Sequence, residues 1–201
     1  MIRRQFDMTA HVFVDEPKEK GFLVTAAALL PGDLVSARRT VRGLVMANQR
    51  RIHFHKESDQ RRKQILDVVV EIAPEVTIYD GSAHVRRRQR DACLVRLVCD
   101  LAVSGAGMLV LEQDDSVLEA DKKLLYRCVR DLGCHETLVY RHHRAHEEPL
   151  LALPDAIAWC WHRGGQWKKR CSLWSPRWKS SETAKPGPPT VRKAAGSTSQ
   201  R

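Results

Sequence analysis

Thr9-Ala10-His11-Val12-Phe13-Val14-Asp15-Glu16 is a β-rich run that closes on two acids, and Gly21 opens a second apolar run, Phe22 to Leu30, which Pro31-Gly32 stops. Two such runs in succession, bounded by turn residues, predict an antiparallel β-hairpin at the start of the fold. Beyond it the period changes. Asp33 is placed to cap a helix whose Leu34, Ala37, Val41, Leu44 and Val45 share one face. Arg51 to His55 reads as a short strand, and Ser58 as the N-cap of a helix buried through Ile65, Leu66, Val69 and Ile72. Strands at Glu75 to Tyr79, Met108 to Leu111 and Thr137 to about His142 then alternate with helices at about His84 to Ser104, Val117 to Leu132 and Leu150 to Trp161. Alternation of this kind requires parallel strands with helical crossovers, so the predicted class is α/β: a mixed β-sheet flanked by helices.

With 201 residues, 43% hydrophobic and 29% charged, the chain is long enough for one domain plus a tail, and its composition excludes wholesale disorder. The net charge of +10 is unevenly spread. Residues 163 to 201 hold ten Lys or Arg against the single acid Glu182, while residues 1 to 162 are nearly balanced, with 24 basic and 23 acidic side chains. The expected organisation is a domain over 9–163 followed by a basic, Trp-containing extension over 164–201, disordered from about 180. Trp167-Lys168-Lys169-Arg170, Trp174 and Arg177-Trp178-Lys179 interleave aromatic and cationic side chains, a pattern suited to stacking on bases while neutralising phosphates, so nucleic acid is the expected partner of the tail. The competing reading has the tryptophans packing back on the domain. The longest apolar stretch, Phe22 to Leu30, falls short of the ~20 residues of a spanning helix. Met1 to Met8 is polar, with no apolar signal region after it. A cytoplasmic location without a membrane partner is therefore expected. The six cysteines contain no CxxC pair, and Cys93 and Cys128 fall on apolar helix stripes as small core residues.

The chemistry lies in where the acids fall. Asp15 and Glu16 end the first strand, and Glu112 ends a central one, with Asp114 and Asp115 just beyond. Asp155 sits four residues from both Leu151 and Trp159 in an otherwise apolar helix, where a carboxylate costs several kcal/mol unless a cation, an arginine or hydrogen bonds compensate it. Each acid also has a structural reading: a turn for Asp15 and Glu16, helix capping for Asp114 and Asp115, an arginine partner for Glu112.

Val14-Asp15-Glu16, the strand-end acid, and Pro149-Leu150-Leu151-x-Leu153-x-Asp155-Ala156-Ile157-Ala158 together resemble a large bacterial family of domains of unknown function. Its members open on Asp-Glu-Ser and close on a Leu-x-x-Ala-Asp-x-x-Ala helix. Ile52-His53-Phe54-His55-Lys56-Glu57 is similar to that family's histidine motif. Pro17 stands where the family has Ser, and Pro154 where it has Ala. The resemblance covers about residues 9 to 163 and implies a ribonuclease-H-like fold with a two-ion nuclease site. Asp15, Asp155 and either Glu112 or Asp114 would be the ligands of Mg²⁺ or Mn²⁺, with Asp15, Glu112 and Asp155 the catalytic acids; a histidine beside such ions, His53 or His55, could shuttle the proton. The function it implies is a metal-dependent nuclease or phosphodiesterase, and the alternative is a non-catalytic binding or regulatory module of the same fold. A nucleotide-using enzyme has no support, because no phosphate-binding GxxxxGK loop occurs.

Overall fold

The computed structural model describes residues 9–16, 22–172 and 176–181. Strand β1 (His11–Asp15) pairs antiparallel with β2 (Leu23–Leu29), His11 opposite Leu29 and Asp15 opposite Thr25, as the two opening runs predict. On its other side β1 pairs parallel with β4 (Met108–Glu112), which in turn pairs parallel with β5 (Val139–His143). β3 (Glu75–Asp80) lies antiparallel to β2, and β6 (Arg177–Ser180) lies parallel to β3. The order is β5-β4-β1-β2-β3-β6. A hairpin-built half (β1, β2, β3) joined through β1 to a parallel half (β4, β5) is a ribonuclease-H-like sheet, and helices cover both faces.

Strand periodicity divides the core in two. Phe13, Ala27, Ile78 and Val110 pack with α1 (Leu34–Gly43), α2 (Asp59–Ile72) and α5 (Ala152–Arg163) on one face. Val12, Val14, Ala26, Tyr79, Leu109 and Leu111 pack with α3 (Arg86–Ser104) and α4 (Leu118–Asp131) on the other. Because successive side chains alternate, β1 is buried on both sides, which is why it reads as a continuous apolar run. Ser58 caps α2 through a hydrogen bond accepted from the Arg61 N–H at 3.3 Å. α3 ends at Gly105, whose φ of 78° is the left-handed conformation that glycine adopts without strain.

Two expectations need correction. Arg51 to His55 is not a strand: Phe54–Lys56 is a 3-10 turn, and Phe54, fully buried, packs edge-on against Trp159 at 5.4 Å. The apolar residues there serve as a plug between helices, not as a sheet edge. Asp33 precedes α1, but its side chain makes no cap; its carbonyl accepts from the Ser36 hydroxyl at 2.9 Å. In the described part of the extension, α6 (Gly165–Cys171) packs on α5, and β6 adds an edge to the sheet. The disorder expected from about 180 falls, after Ser181, outside the described residues. Among the described residues, no helix is long and apolar enough to cross a membrane. Cys93 and Cys128 are buried free thiols on the helix stripes that predicted them.

Candidate acid site at the ends of β1 and β4

The alternation that buries Phe13 against α5 sends Asp15, two residues on, to the same face; Val110 and Glu112 repeat the relation on β4. The parallel register that sets Val14 beside Leu111 makes Asp15 and Glu112 neighbours at the carboxyl ends of adjacent strands. Asp155 completes the group from α5. Burial, then repulsion by Asp155 and Glu112, raises the Asp15 carboxyl well above its ordinary range. Asp155 is pushed up to about 6, chiefly by burial, with Glu112 repelling it and the Phe54 N–H, donated at 3.4 Å to Oδ2, partly offsetting both. Three acids from three separate elements thus lie near enough for Glu112 to act on both Asp15 and Asp155 and for Asp155 to act on Asp15.

The compensating cation is Arg51, whose Nη1 donates to Glu112 Oε1 at 2.7 Å. Arg51 is held in place because its loop is pinned by the buried Phe54, the same plug that brings a backbone donor to Asp155. A small cleft of about 50 Å³ opens here between Glu112 and Asp155, with Arg42, Arg50, Arg51 and His146 on its walls. Burial and the nearby charges of Arg51, Lys56 and His55 depress the titration of His53, in the loop that carries Arg51. Asp114 stands apart from the group: its Oδ1 accepts from the Ser116 N–H at 3.0 Å and the Ser116 hydroxyl at 2.6 Å, in the turn leading into α4. Asp115 pairs with Arg144 at 3.0 Å. Among the described residues, no three His, Cys, Asp or Glu side chains stand close enough to form a ready-made metal site.

Glu16 takes the opposite course from Asp15. One residue further along, it turns to the other face, where Arg90 of α3 donates from Nη2 to Glu16 Oε1 and to Asp121 Oδ2 of α4, each at 2.7 Å. Arg90 Nη1 also reaches Asp121 Oδ1, and His142 Nε2 of β5 lies 3.5 Å from Asp121 Oδ2. Burial acts to raise the Asp121 carboxyl, but His142 and Arg90 outweigh it and hold it below the ordinary range. Sequence reasoning missed this network, though Asp121 carried the same signal as Asp155. It falls four residues before Leu125 and seven before Cys128, on the buried stripe of its helix. A second missed link is Arg38, which clamps the buried Glu148 with Nε and Nη2 at 3.0 and 2.7 Å, while Glu148 Oε1 accepts from the Leu150 N–H at 3.1 Å. That clamp fixes the turn from which α5, and hence Asp155, departs.

In the extension, Trp167 is buried against Trp159 at 5.4 Å, and Trp178 stacks on Trp161 at 5.6 Å with Lys168 over the Trp161 ring. Lys179 pairs with Asp100 at 3.1 Å, and Arg170 and Arg177 pair with Asp67 and Glu75. These aromatics and cations bind the domain. Trp174 and the basic residues from Lys185 onward lie outside the described residues.

No protein-family model matches the chain, and no curated protein matches it in sequence. Among solved structures, the chain is similar to the ribonuclease in the PCNA:RNase HII complex from Archaeoglobus fulgidus. The identity is 16% over 75% of this chain and 69% of that one, with a TM-score of 0.47. It is also similar to a mutant Bst-RNase HIII, at 12% identity over 79% of this chain and 56% of that one, with a TM-score of 0.39. The fold assignment itself rests on the strand order and directions described above.

Proposed function

We propose that this chain is a divalent-metal-dependent nuclease or phosphodiesterase acting on nucleic acid. The observation that carries the reading is the approach of Asp15, Glu112 and Asp155 beyond the carboxyl ends of β1 and β4, where Asp155 and Glu112 repel the Asp15 carboxylate and Glu112 repels that of Asp155. Hard carboxylate oxygens in a half-buried cleft suit Mg²⁺ or Mn²⁺, which would offset that repulsion. Such ions, when bound, activate a water and stabilise the leaving oxygen of a phosphodiester. Asp15, Glu112 and Asp155 would hold them. Arg50 and Arg51, on the cleft wall, would hold the non-bridging phosphate oxygens, and His53, whose titration burial depresses, would accept a proton at Nδ1 or Nε2. Asp114 contributes to the turn before α4 in this reading and is the weakest candidate ligand.

The Arg51–Glu112 ion pair supports a second reading, a non-catalytic module in which the acids are neutralised internally. One experiment separates the two. Labelled RNA and DNA oligonucleotides are incubated with the full chain and Mn²⁺ or Mg²⁺, alongside a thermal-shift titration with each ion. The nuclease reading expects cleavage and a metal-dependent rise in Tm, both lost in Asp15→Asn and Asp155→Asn. Absence of both in the wild-type chain establishes the module. The basic residues beyond 182 are proposed to strengthen nucleic-acid binding, and truncation after Ser181 should then weaken affinity and flatten its salt dependence.

A further inference from the structure

α4 and the edge strand β5 enclose an open groove of about 710 Å³, inside the ~300–1,000 Å³ range of ligand sites. Lys122, Lys123 and Tyr126 line it from α4, and Tyr140, Arg141 and His143 from β5. It lies on the face of the sheet that carries the Glu16–Arg90–Asp121 network, and at one end the Gln113 N–H donates to the His143 carbonyl at 2.9 Å. Resting on the nuclease reading above, we propose that this groove is a single-strand nucleic-acid track along the β5 edge of the sheet. Its tyrosines take unstacked bases, and its lysines and Arg141 take phosphates.

Charge and ring chemistry both favour this occupant. Lys122, Lys123 and Arg141 are exposed cations, and the pairing of Lys122 with Glu119 at 2.8 Å is an exposed one that a phosphate displaces at little cost. Asp121, the nearest α4 carboxylate on the inner side, is buried and paired with Arg90, so it is not presented to an anion in the groove. Tyr126 is 53% exposed on a helix, with the Arg130 guanidinium 4.9 Å from its ring centre, so a large aromatic surface is held in water and braced by a cation. Such a surface gains by stacking on a base, and only a single strand offers free base faces, since in a duplex the bases stack on each other. β5 is the outer strand of the sheet on this side, leaving its backbone groups on that edge available to phosphate oxygens as well.

The test uses the full chain carrying Asp155→Asn, in EDTA, so that the probe survives. Binding of a fluorescent single-stranded oligouridylate is followed by anisotropy across a salt series, with Lys122→Ala/Lys123→Ala and Tyr126→Ala added in turn. The double lysine variant should bind about tenfold more weakly and reduce the log–log salt slope by roughly 1.4, at ~0.7 for each phosphate left without its cation. Tyr126→Ala should weaken binding by about fivefold or more with the slope unchanged. An unlabelled duplex of the same length should compete far less well than the single strand. Unchanged affinity in both variants, equal competition by the duplex, or a change in oligomeric state by light scattering in place of a change in affinity each overturns the track. Cleavage by the wild-type chain, measured in parallel, reports on the nuclease reading alone. Failure there with groove-dependent binding intact overturns only the chemistry.

Discussion

Replacing Asp155 with Asn should stabilise the metal-free protein at neutral pH. The Asp155 carboxyl is pushed from an ordinary 3.8 to about 6, so at pH 7 its charged form costs the folded state about 3 kcal/mol relative to the unfolded chain. Asn keeps an acceptor for the Phe54 N–H, whose preference for the charged form is already contained in that shift, so the gain is about 3 kcal/mol. For a chain of this size that is a rise in Tm of about 6–12 °C. Relieving Asp15 of a repelling neighbour acts in the same direction. The sign of the pH dependence follows. The folded-state value lies above the unfolded one, so the penalty is absent below about pH 4, grows as pH rises toward about 6, and is complete above that. The advantage of Asp155→Asn should therefore be present at pH 7 in EDTA and nearly gone at pH 4. Saturating Mn²⁺ should reverse the order: a thousandfold excess over Kd stabilises the wild type by about 4.1 kcal/mol, and the variant, lacking a ligand, by much less. Urea denaturation at the two pH values, with EDTA or Mn²⁺, reads all of this. A variant less stable than wild type in EDTA at pH 7, or a difference that does not change with pH, would refute the reasoning.

Arg90→Met should cost about 3–5 kcal/mol in urea denaturation, because Glu16 and Asp121 are left buried without their shared cation. Adding Asp121→Leu to it should recover a good part of that loss. Arg51→Ala should change stability by less than about 1 kcal/mol, since the side chains of its pair with Glu112 are each 31% exposed, yet calorimetry should show tighter Mn²⁺ binding once that cation is gone. Trp167→Ala, emptying a buried site, should cost about 3–5 kcal/mol, whereas Trp178→Ala, removing a half-exposed stacking partner, should cost no more than about 1.5 kcal/mol by the same measurement.

The elements that sequence periodicity reveals are those whose burial is settled within a single element. Ile65, Leu66 and Val69 announce α2 because one face of one helix meets the core, and Val12, Phe13 and Val14 announce β1 because both faces do. The 3-10 plug at Phe54 and the edge strand β6 were not legible for the converse reason. Arg177-Trp178-Lys179-Ser180 acquires strand character from β3, Trp161, Glu75 and Asp100, all remote in sequence. The site divides the same way. Asp155 was conspicuous as a carboxylate on an apolar helix, and Asp15 and Glu112 as the ends of apolar strands, but Arg51 and Arg38 were invisible. An arginine in a polar loop or on an exposed helix carries no local mark of the acid it will meet, here 61 and 110 residues away.

What a strand supplies and a helix cannot is a hard choice of side between adjacent residues. Asp15 and Glu16 are chemically similar and consecutive, yet the two-residue period sends one to Glu112 and Asp155 and the other to Arg90 and Asp121. The first is left among like charges, and the second is locked in an ion-pair network. The same alternation places Phe13 and Val14 in opposite halves of the core, so a slip of one residue in β1 would exchange the two acids and also misplace every apolar side chain that precedes them. The register that holds the acids in their separate roles is thus maintained by the burial of Val12, Phe13 and Val14, and not by any interaction of the acids themselves. That is how a group of mutually repelling carboxylates can persist in a stable sheet: the packing that opposes the repulsion is spread over the strand behind it.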